Sequence, residues 1–157
     1  MERSLQDTMA KDVKKFLRDL KKLQLTDLIG SKELRRCAEI VRLERRKSLR
    51  AGKQITGEKM PPLKKATIKA KRKKGYELPT KPLVATGVLT NVEIEVGENY
   101  ARITMPKSRE EIAAYHQDGA GNNPVRLHIG ITEKAVELIN QYVESRFTKW
   151  LRKYFHE

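Results

Sequence analysis

Two histidines, a lone cysteine and a glycine-containing loop are the features of this chain with residue types suited to chemistry. His116 could act as a base, but no serine, cysteine or carboxylate pair stands at a useful spacing beside it. His116 and His128 have no obvious third ligand nearby, whereas a structural zinc site needs four nitrogen or sulfur ligands. Cys37 cannot form an intrachain disulfide, which fits a reducing cytosol, and it is expected to pack as a small apolar side chain. We therefore expect no enzyme, metal site or cofactor.

The stretch from residue 112 to residue 132 is the most distinctive part of the sequence. A small-residue run ends at a His-Gln-x-Gly step, and a polar loop leads to a Pro-x-Arg step, a short apolar strand and a Gly-x-Thr step. His116 is expected to end a helix, to hydrogen-bond the following loop and to be favoured by the helix dipole. Gly119 and Gly121 lack the lysine and the preceding strand of a phosphate-binding loop, so we expect no nucleotide site. Arg126 is either a residue that makes a specific polar contact with a partner or an ordinary surface arginine.

The net charge of +14 is concentrated in one part of the chain. Residues 42–74 carry 14 basic and 2 acidic side chains, whereas the net charge is +3 in residues 1–41 and −1 in residues 75–157. The cations expected to contact a partner are Lys64, Lys65, Lys69, Lys71, Arg72, Lys73 and Lys74. Three interpretations stay open: non-specific contacts with nucleic-acid phosphates, docking on an acidic protein surface, or a solvated loop without a partner.

The length of 157 residues predicts one domain, residues 1–157. Within it, residues 52–80 contain glycines, prolines and a lysine-rich run, and they are expected to form a basic, mobile loop outside the core. One short helix is predicted there, with a weak apolar face formed by Leu63, Ala66 (or Thr67) and Ala70. The chain contains no run of about 18 apolar residues and no apolar signal segment at its start, so no membrane span is expected.

Helices are predicted at both ends of the chain. Apolar residues at helical spacing favour a first helix up to Gly30 and a second from an N-cap at Ser31 to a stop at Gly52. A short helix is expected after an N-cap at Ser108, and a long amphipathic helix after Thr132. The first apolar stripe comprises Leu5, Met9, Val13, Phe16, Leu17, Leu20 and Leu23. The second comprises Leu34, Cys37, Ala38, Val41 and Leu49. The last comprises Ala135, Val136, Ile139, Tyr142, Val143, Arg146, Phe147, Trp150, Leu151 and Tyr154.

Strands are predicted between these helices. Val92, Ile94 and Val96 alternate with glutamates, and after a turn Ala101, Ile103 and Met105 alternate with polar residues, which indicates a β-hairpin. Glu93 or Glu95 is expected to face Arg102 across it. Val125, Leu127 and Ile129 alternate in the same way and predict a third strand. The expected fold is α+β, with an N-terminal helical pair, a small antiparallel sheet and a long C-terminal amphipathic helix.

Four short motifs occur in order between residues 59 and 132. They are Lys59-Met60-Pro61-Pro62-Leu63, then Pro82-Leu83-x-x-Thr86-Gly87-x-Leu89, then His116-Gln117-x-Gly119, then Pro124-x-Arg126 followed by Gly130 and Thr132. In this order they resemble the phage virion-morphogenesis family, whose members complete the tail. Members often have tryptophan where Met60 stands, and they usually have proline and an aromatic residue where Leu127 and His128 stand.

The resemblance covers roughly residues 55–150 and implies a structural role. It implies a phage or prophage protein without catalytic activity that completes the tail or joins it to the filled head. The implied partners are other neck or tail proteins of the virion, together with further copies of the chain in a ring. The implied location is the host cytoplasm during assembly, and then the virion tail or neck. The alternative, which rests on charge alone, is a basic protein that binds nucleic acid non-specifically.

Overall fold

The computed structural model of the protein describes residues 2–22 and 28–152, with the side chains of residues 2–10, 12 and 88 excepted. In these ranges five helices and a two-stranded antiparallel sheet form an α+β fold, as predicted. The helices are α1 (Glu2–Lys22), α2 (Ser31–Ala51), α3 (Lys65–Lys73), α4 (Glu110–Asp118) and α5 (Glu133–Leu151). The strands are β1 (Glu93–Val96) and β2 (Ala101–Thr104), and 3₁₀ turns cover Val88–Thr90 and Lys107–Arg109.

Helix α2 is the element against which β1, β2 and α5 all pack. Its predicted stop is confirmed, because Gly52 adopts the left-handed conformation (φ 73°) and its N–H donates to Leu49. The predicted cap at Ser31 is wrong. Gly30 holds that position and its N–H donates to the Glu33 carboxylate at 3.2 Å, while the Ser31 hydroxyl turns away to donate to the Gly97 carbonyl.

Helix α1 confirms the first predicted helix, although its apolar stripe is largely uncovered. Val13, Leu17 and Leu20 are exposed, and Phe16 contacts Trp150 of α5 at a ring-centroid distance of 5.9 Å. The Leu5 and Met9 side chains and Leu23 lie outside the described residues, as does most of the turn toward α2. Helix α1 therefore contributes a contact at the end of α5 and leaves one apolar face open.

The predicted β-hairpin is confirmed. Glu93 pairs with Thr104 and Val96 with Ala101, and the predicted cross-strand pair is Glu95 with Arg102, whose charged groups lie 3.9 Å apart. Val92 is buried just before β1, whereas the glutamates of β1 are exposed. The alternating pattern therefore identified both the pairing and the inward face.

The predicted third strand is wrong. Residues 124–128 are extended but belong to no sheet, and their backbone contacts include one from Ile55 N–H to Leu127 O at 2.9 Å. The predicted inward face is also reversed, because Arg126 and His128 are buried while Val125 and Ile129 are exposed. The alternation was real, but in this segment the polar residues face the interior.

Residues 52–80 are mostly exposed or half-buried, but the prediction that the segment lies wholly outside the core is wrong for Met60. Met60 packs with Leu49 and Val84 in a buried cluster that Leu78 and Leu83 flank. Within α3, Ala66 and Ala70 are exposed, whereas Lys71 is buried, so the predicted apolar face is wrong as well. The mobility expected of this segment stays a prediction.

Both predicted helices in the C-terminal part of the chain are confirmed as α4 and α5, but only one of their two predicted caps is correct. Thr132 caps α5 as predicted, since its hydroxyl accepts from Ala135 N–H at 3.2 Å. Ser108 lies inside a 3₁₀ turn and does not cap α4, which is a correction. The end of the last stripe, Tyr154, lies outside the described residues. None of the described helices is long and apolar enough to cross a bilayer.

Candidate functional site

The exposed cations of α3 and its flanks form one candidate interaction surface, which we call the basic face. It comprises Lys64, Lys65, Lys69, Arg72, Lys73 and Lys74. All six are exposed, and none forms an ion pair with another described residue. An uncompensated group of this kind attracts anionic partners, and the attraction weakens as salt rises.

Lys71 was expected in this partner-contacting set, and the structure corrects that assignment. Only 8% of its surface is exposed, and its ammonium donates to the backbone carbonyls of Lys81 at 2.6 Å, Val84 at 2.7 Å and Leu78 at 3.3 Å. Burial lowers the pKa of this lysine. Because three acceptors use all three N–H bonds, Lys71 anchors α3 to the following loop and is not available to a partner.

The loop that Lys71 anchors is conformationally strained. Leu83 has a φ of 60°, a backbone conformation that residues other than glycine rarely adopt. It lies between Lys81 and Val84, whose carbonyls accept from Lys71. Lys71 thus offsets part of the cost of that turn. The result is that the basic face stands on a helix fixed to the core.

Arg126, the other residue expected to contact a partner, also lies inside the protein and is corrected. It is 4% exposed, and its guanidinium lies 3.4 Å from the Pro61 carbonyl and 3.5 Å from the Pro62 carbonyl. Burial lowers its pKa. Arg126 therefore ties the segment before α5 to the segment before α3.

Arg126 belongs to a second cluster, which we call the arginine–histidine joint: Arg45, His116, Gln117, Arg126 and His128. Arg45 on α2 donates from Nε to the His128 carbonyl at 2.8 Å and from Nη2 to the Leu89 carbonyl at 2.9 Å. Gln117 at the end of α4 accepts from the N–H groups of His128 at 2.9 Å and Ile129 at 3.1 Å. The joint therefore connects α2, α4, the 3₁₀ turn at Val88–Thr90 and the extended segment before α5.

Burial disfavours the charged form of both histidines in the joint. His128 is fully buried and its Nδ1 lies 2.8 Å from the Arg126 carbonyl, so that nitrogen carries the proton. Burial lowers the pKa of His128, and the charge of Arg45 lowers it further. Burial, followed by Arg126, also lowers the pKa of His116. The prediction that the helix dipole favours charged His116 is outweighed here, and its backbone carbonyl, not its ring, bonds the loop through Arg126 N–H at 2.8 Å.

Glycines permit the tight backbone path around the joint. Gly119 ends α4 in the left-handed conformation (φ 71°), and a Cβ there would lie 2.7 Å from a Val125 methyl group. A Cβ on Gly130 would lie 2.5 Å from the end of Ile55. Gly87, also at positive φ, places its carbonyl to accept from the Thr90 hydroxyl at 2.6 Å.

Most of the motif residues contribute to the joint, and a few lie outside it. The backbone carbonyls of Pro62, Leu89 and His116 accept hydrogen bonds in the joint. The side chain of Gln117 accepts two more, and Gly119 allows the tight turn after α4. Next to the joint, Thr132 caps α5. Leu63 is half-buried and Gly130 adopts a φ of 141°. Thr86 and Pro124 are exposed, and the Thr86 hydroxyl has no described hydrogen-bond partner.

Arg45 is the residue that sequence reasoning missed. It lies four residues after Val41 and four before Leu49, so it occupies the buried stripe of α2, where an apolar residue is expected. That spacing was a usable signal. His128 gave a weaker signal, because the alternation of residues 125–129 does not by itself show whether the apolar or the polar face is buried.

The hydrogen bonds of the joint hold separate segments of the chain together. Its described side-chain hydrogen bonds run from Arg45, Gln117, Arg126 and His128 to backbone carbonyls and N–H groups. In the described part of the chain, no three histidine, cysteine, aspartate or glutamate side chains are grouped so as to hold a metal ion. Comparison with protein-family models, with curated proteins and with solved structures finds no match to this chain.

Proposed function

We propose that this protein is a non-catalytic structural component of a tailed-phage particle that acts in tail completion or head–tail joining. The supporting observation is that three of the four motif segments carrying the resemblance meet directly at the joint, through Pro62, Gln117 and Arg126. A fourth is reached through Arg45 and the Leu89 carbonyl. Motifs that hold a fold together are expected in an assembly part, whose job is to present surfaces.

The basic face supplies the surface that this function needs. Six cations without ion pairs project from a helix anchored by Lys71. Such a surface is matched by an acidic surface on a neighbouring neck or tail protein, which it also attracts over a distance. In this proposal the protein meets its partner in the host cytoplasm and remains in the tail or neck, where further copies can complete a ring.

The test is deletion of the gene from the phage or prophage that carries it, followed by electron microscopy of the lysate. The expected result is filled heads together with tails that fail to join them. Complementation with a variant in which all six cations of the basic face are replaced by glutamine is expected to leave the same defect. Normal infectious particles from the deletion would contradict the proposal.

A matched variant separates a surface effect from a charge effect. Six exposed cations elsewhere that form no described ion pair can be replaced by glutamine: Lys11, Lys14, Lys21, Lys22, Arg35 and Arg42. The change in net charge is identical. This control is expected to restore particle assembly, since it leaves the basic face intact.

Non-specific nucleic-acid binding is the second candidate, and the absence of ion pairs on the basic face favours it. If all six cations contact phosphates, log affinity falls with log salt at a slope of roughly −5. Fluorescence anisotropy with a 30-base-pair duplex at two salt concentrations measures that slope. The glutamine variant of the basic face must lose this salt dependence, whereas the matched control must keep it. Equal slopes in the two variants would exclude nucleic-acid binding by the basic face.

A further inference from the structure

An apolar cleft of about 790 Å³ is lined by residues of α2, β2, α4 and the segment 129–131, together with Ile139 of α5. Its apolar walls include Leu34, Val41, Ile103, Met105, Ile131 and Ile139. Ile131 is exposed over 57% of its surface. The cleft lies apart from the basic face, none of whose cations lines it.

One side of the cleft is formed by the edge of β2 that does not pair with β1. Residues 100–105 all line the cleft, whereas β1 contributes none of its own residues. Gly97 N–H donates to Tyr100 O across the turn. Because hydrogen-bonded pairs alternate along an antiparallel ladder, the next residues of β2 that bond to β1 are Arg102 and Thr104. The N–H and C=O groups of Ala101 and Ile103 therefore point away from β1, and among the described residues they have no partner.

A buried cation without a matching anion also lines the cleft. Arg45 uses Nε and Nη2 on carbonyls, but Nη1 is buried and has no hydrogen-bond partner among the described residues. Arg45 is 3% exposed, and burial lowers its pKa to about 10. A buried guanidinium with an open donor is costly, and a carboxylate is the group that satisfies it best.

We propose that this cleft binds an extended segment of a partner protein, which adds to β2 as a third strand and places a carboxylate against Nη1 of Arg45. A strand is favoured because Ala101 and Ile103 offer backbone donors and acceptors that only another extended backbone can match. A helix uses its own backbone groups internally, and an apolar small molecule has none. The inference does not depend on the phage role or on the basic face.

The edge can be blocked without disturbing the ladder. Ala101→Pro removes an N–H that points into the cleft and leaves the β1–β2 bonds in place. Val96→Pro is the matched control, because it removes the same kind of group from the opposite edge, on β1. Circular dichroism and thermal melting establish that each variant retains the fold.

The probe is a displayed library of random nine-residue peptides, selected for binding to the unmodified protein. Selected peptides are expected to alternate apolar and polar residues around one aspartate or glutamate. They should bind Ala101→Pro at least tenfold more weakly and Val96→Pro unchanged. Replacing the acid by its amide should weaken binding about tenfold, the effect of one charged hydrogen bond.

Cys37 provides an independent readout because it lines the same cleft. Bound peptide is expected to slow its alkylation by maleimide at least fivefold. Four outcomes would overturn the proposal: no enriched peptide, equal binding to Ala101→Pro, no effect of the acid-to-amide change, or unprotected Cys37. Reversible self-association that Ala101→Pro abolishes would place a second copy in the cleft, and this also overturns the assignment to a different protein.

Discussion

The basic face and the arginine–histidine joint place the same kinds of side chain in opposite environments. On the basic face, six cations are exposed and have no described ion pair. In the joint, Arg45 and Arg126 are less than 5% exposed and bind backbone carbonyls. Neither region uses carboxylates to balance its charge.

The difference shows what a buried cation needs in this protein. Lys71 and Arg45 are buried where loop carbonyls converge on them, since such carbonyls lack helix or sheet partners and would otherwise be unsatisfied. Lys69 and Arg72, on either side of Lys71 in the chain, meet no such carbonyls and remain in water. The position of the acceptors, not the residue type, decides which cation is structural.

The largest expected effect contrasts two adjacent arginines of α2. Arg45→Met should lower the free energy of unfolding by about 4 kcal/mol, because it removes two charge-assisted hydrogen bonds and leaves two buried carbonyls unpaired. Arg46→Met, at an exposed position, should change it by less than about 0.5 kcal/mol. Urea denaturation of both variants measures the difference. Similar values for the two would mean that the joint does not stabilise the fold.

The same contrast can be made within α3. Lys71→Met should lower the free energy of unfolding by about 3 kcal/mol, since it leaves the Lys81 and Val84 carbonyls unpaired beside the strained Leu83 turn, whereas Lys69→Met should change it by less than about 0.5 kcal/mol. Thermal melting resolves a difference of this size in a chain of this length. If Lys71→Met melts normally, Lys71 returns to the set of residues open to a partner.

Local signals in the sequence predicted the elements whose ends and faces depend on near neighbours. Gly52 and Thr132 marked helix ends because a left-handed residue and a side-chain cap act within a few residues. The hairpin register followed from alternation around a short turn. These features need no knowledge of distant contacts.

The sequence failed where burial depends on distant acceptors. Arg126 and His128 are buried because Pro61, Pro62 and Arg45 reach them from more than 60 residues away. Lys71 was indistinguishable from the lysines around it, since the carbonyls that bind it lie 7 to 13 residues further along the chain. The candidate site was therefore identified by segment, but its buried and exposed members could be separated only in three dimensions.

A pH titration sharpens the comparison, because among the described residues the histidines, His116 and His128, both belong to the joint. The pKa values of His116 and His128 are lowered in the folded protein, so the unfolded chain binds more protons as the pH falls below about 6.5. The contribution of the two histidines to the free energy of unfolding is thus fully present above that pH. It decreases below that pH by at most about 1.4 kcal/mol per pH unit for each histidine.

Urea unfolding at pH 7.5 and pH 5.5 tests this expectation. His116→Gln should reduce the slope while leaving part of it, because the more deeply buried His128 still titrates. A free energy of unfolding that is equal at the two pH values would show that the histidines are not held neutral by the fold.

The smallest expected effect has the opposite sign and belongs to the basic face. Lys69 has like charges four residues away in both directions, Lys65 and Lys73, and such pairs destabilise a helix by about 0.2–0.5 kcal/mol each. Lys69→Gln should therefore raise the free energy of unfolding slightly in low salt, and the gain should vanish near 1 M salt, where screening acts within about 3 Å. Lys53→Gln, at an exposed position with no charged residue four positions away on either side, is the control. A loss of stability in Lys69→Gln would mean that this lysine has a structural partner, and the division between exposed and anchoring cations would have to be redrawn along α3.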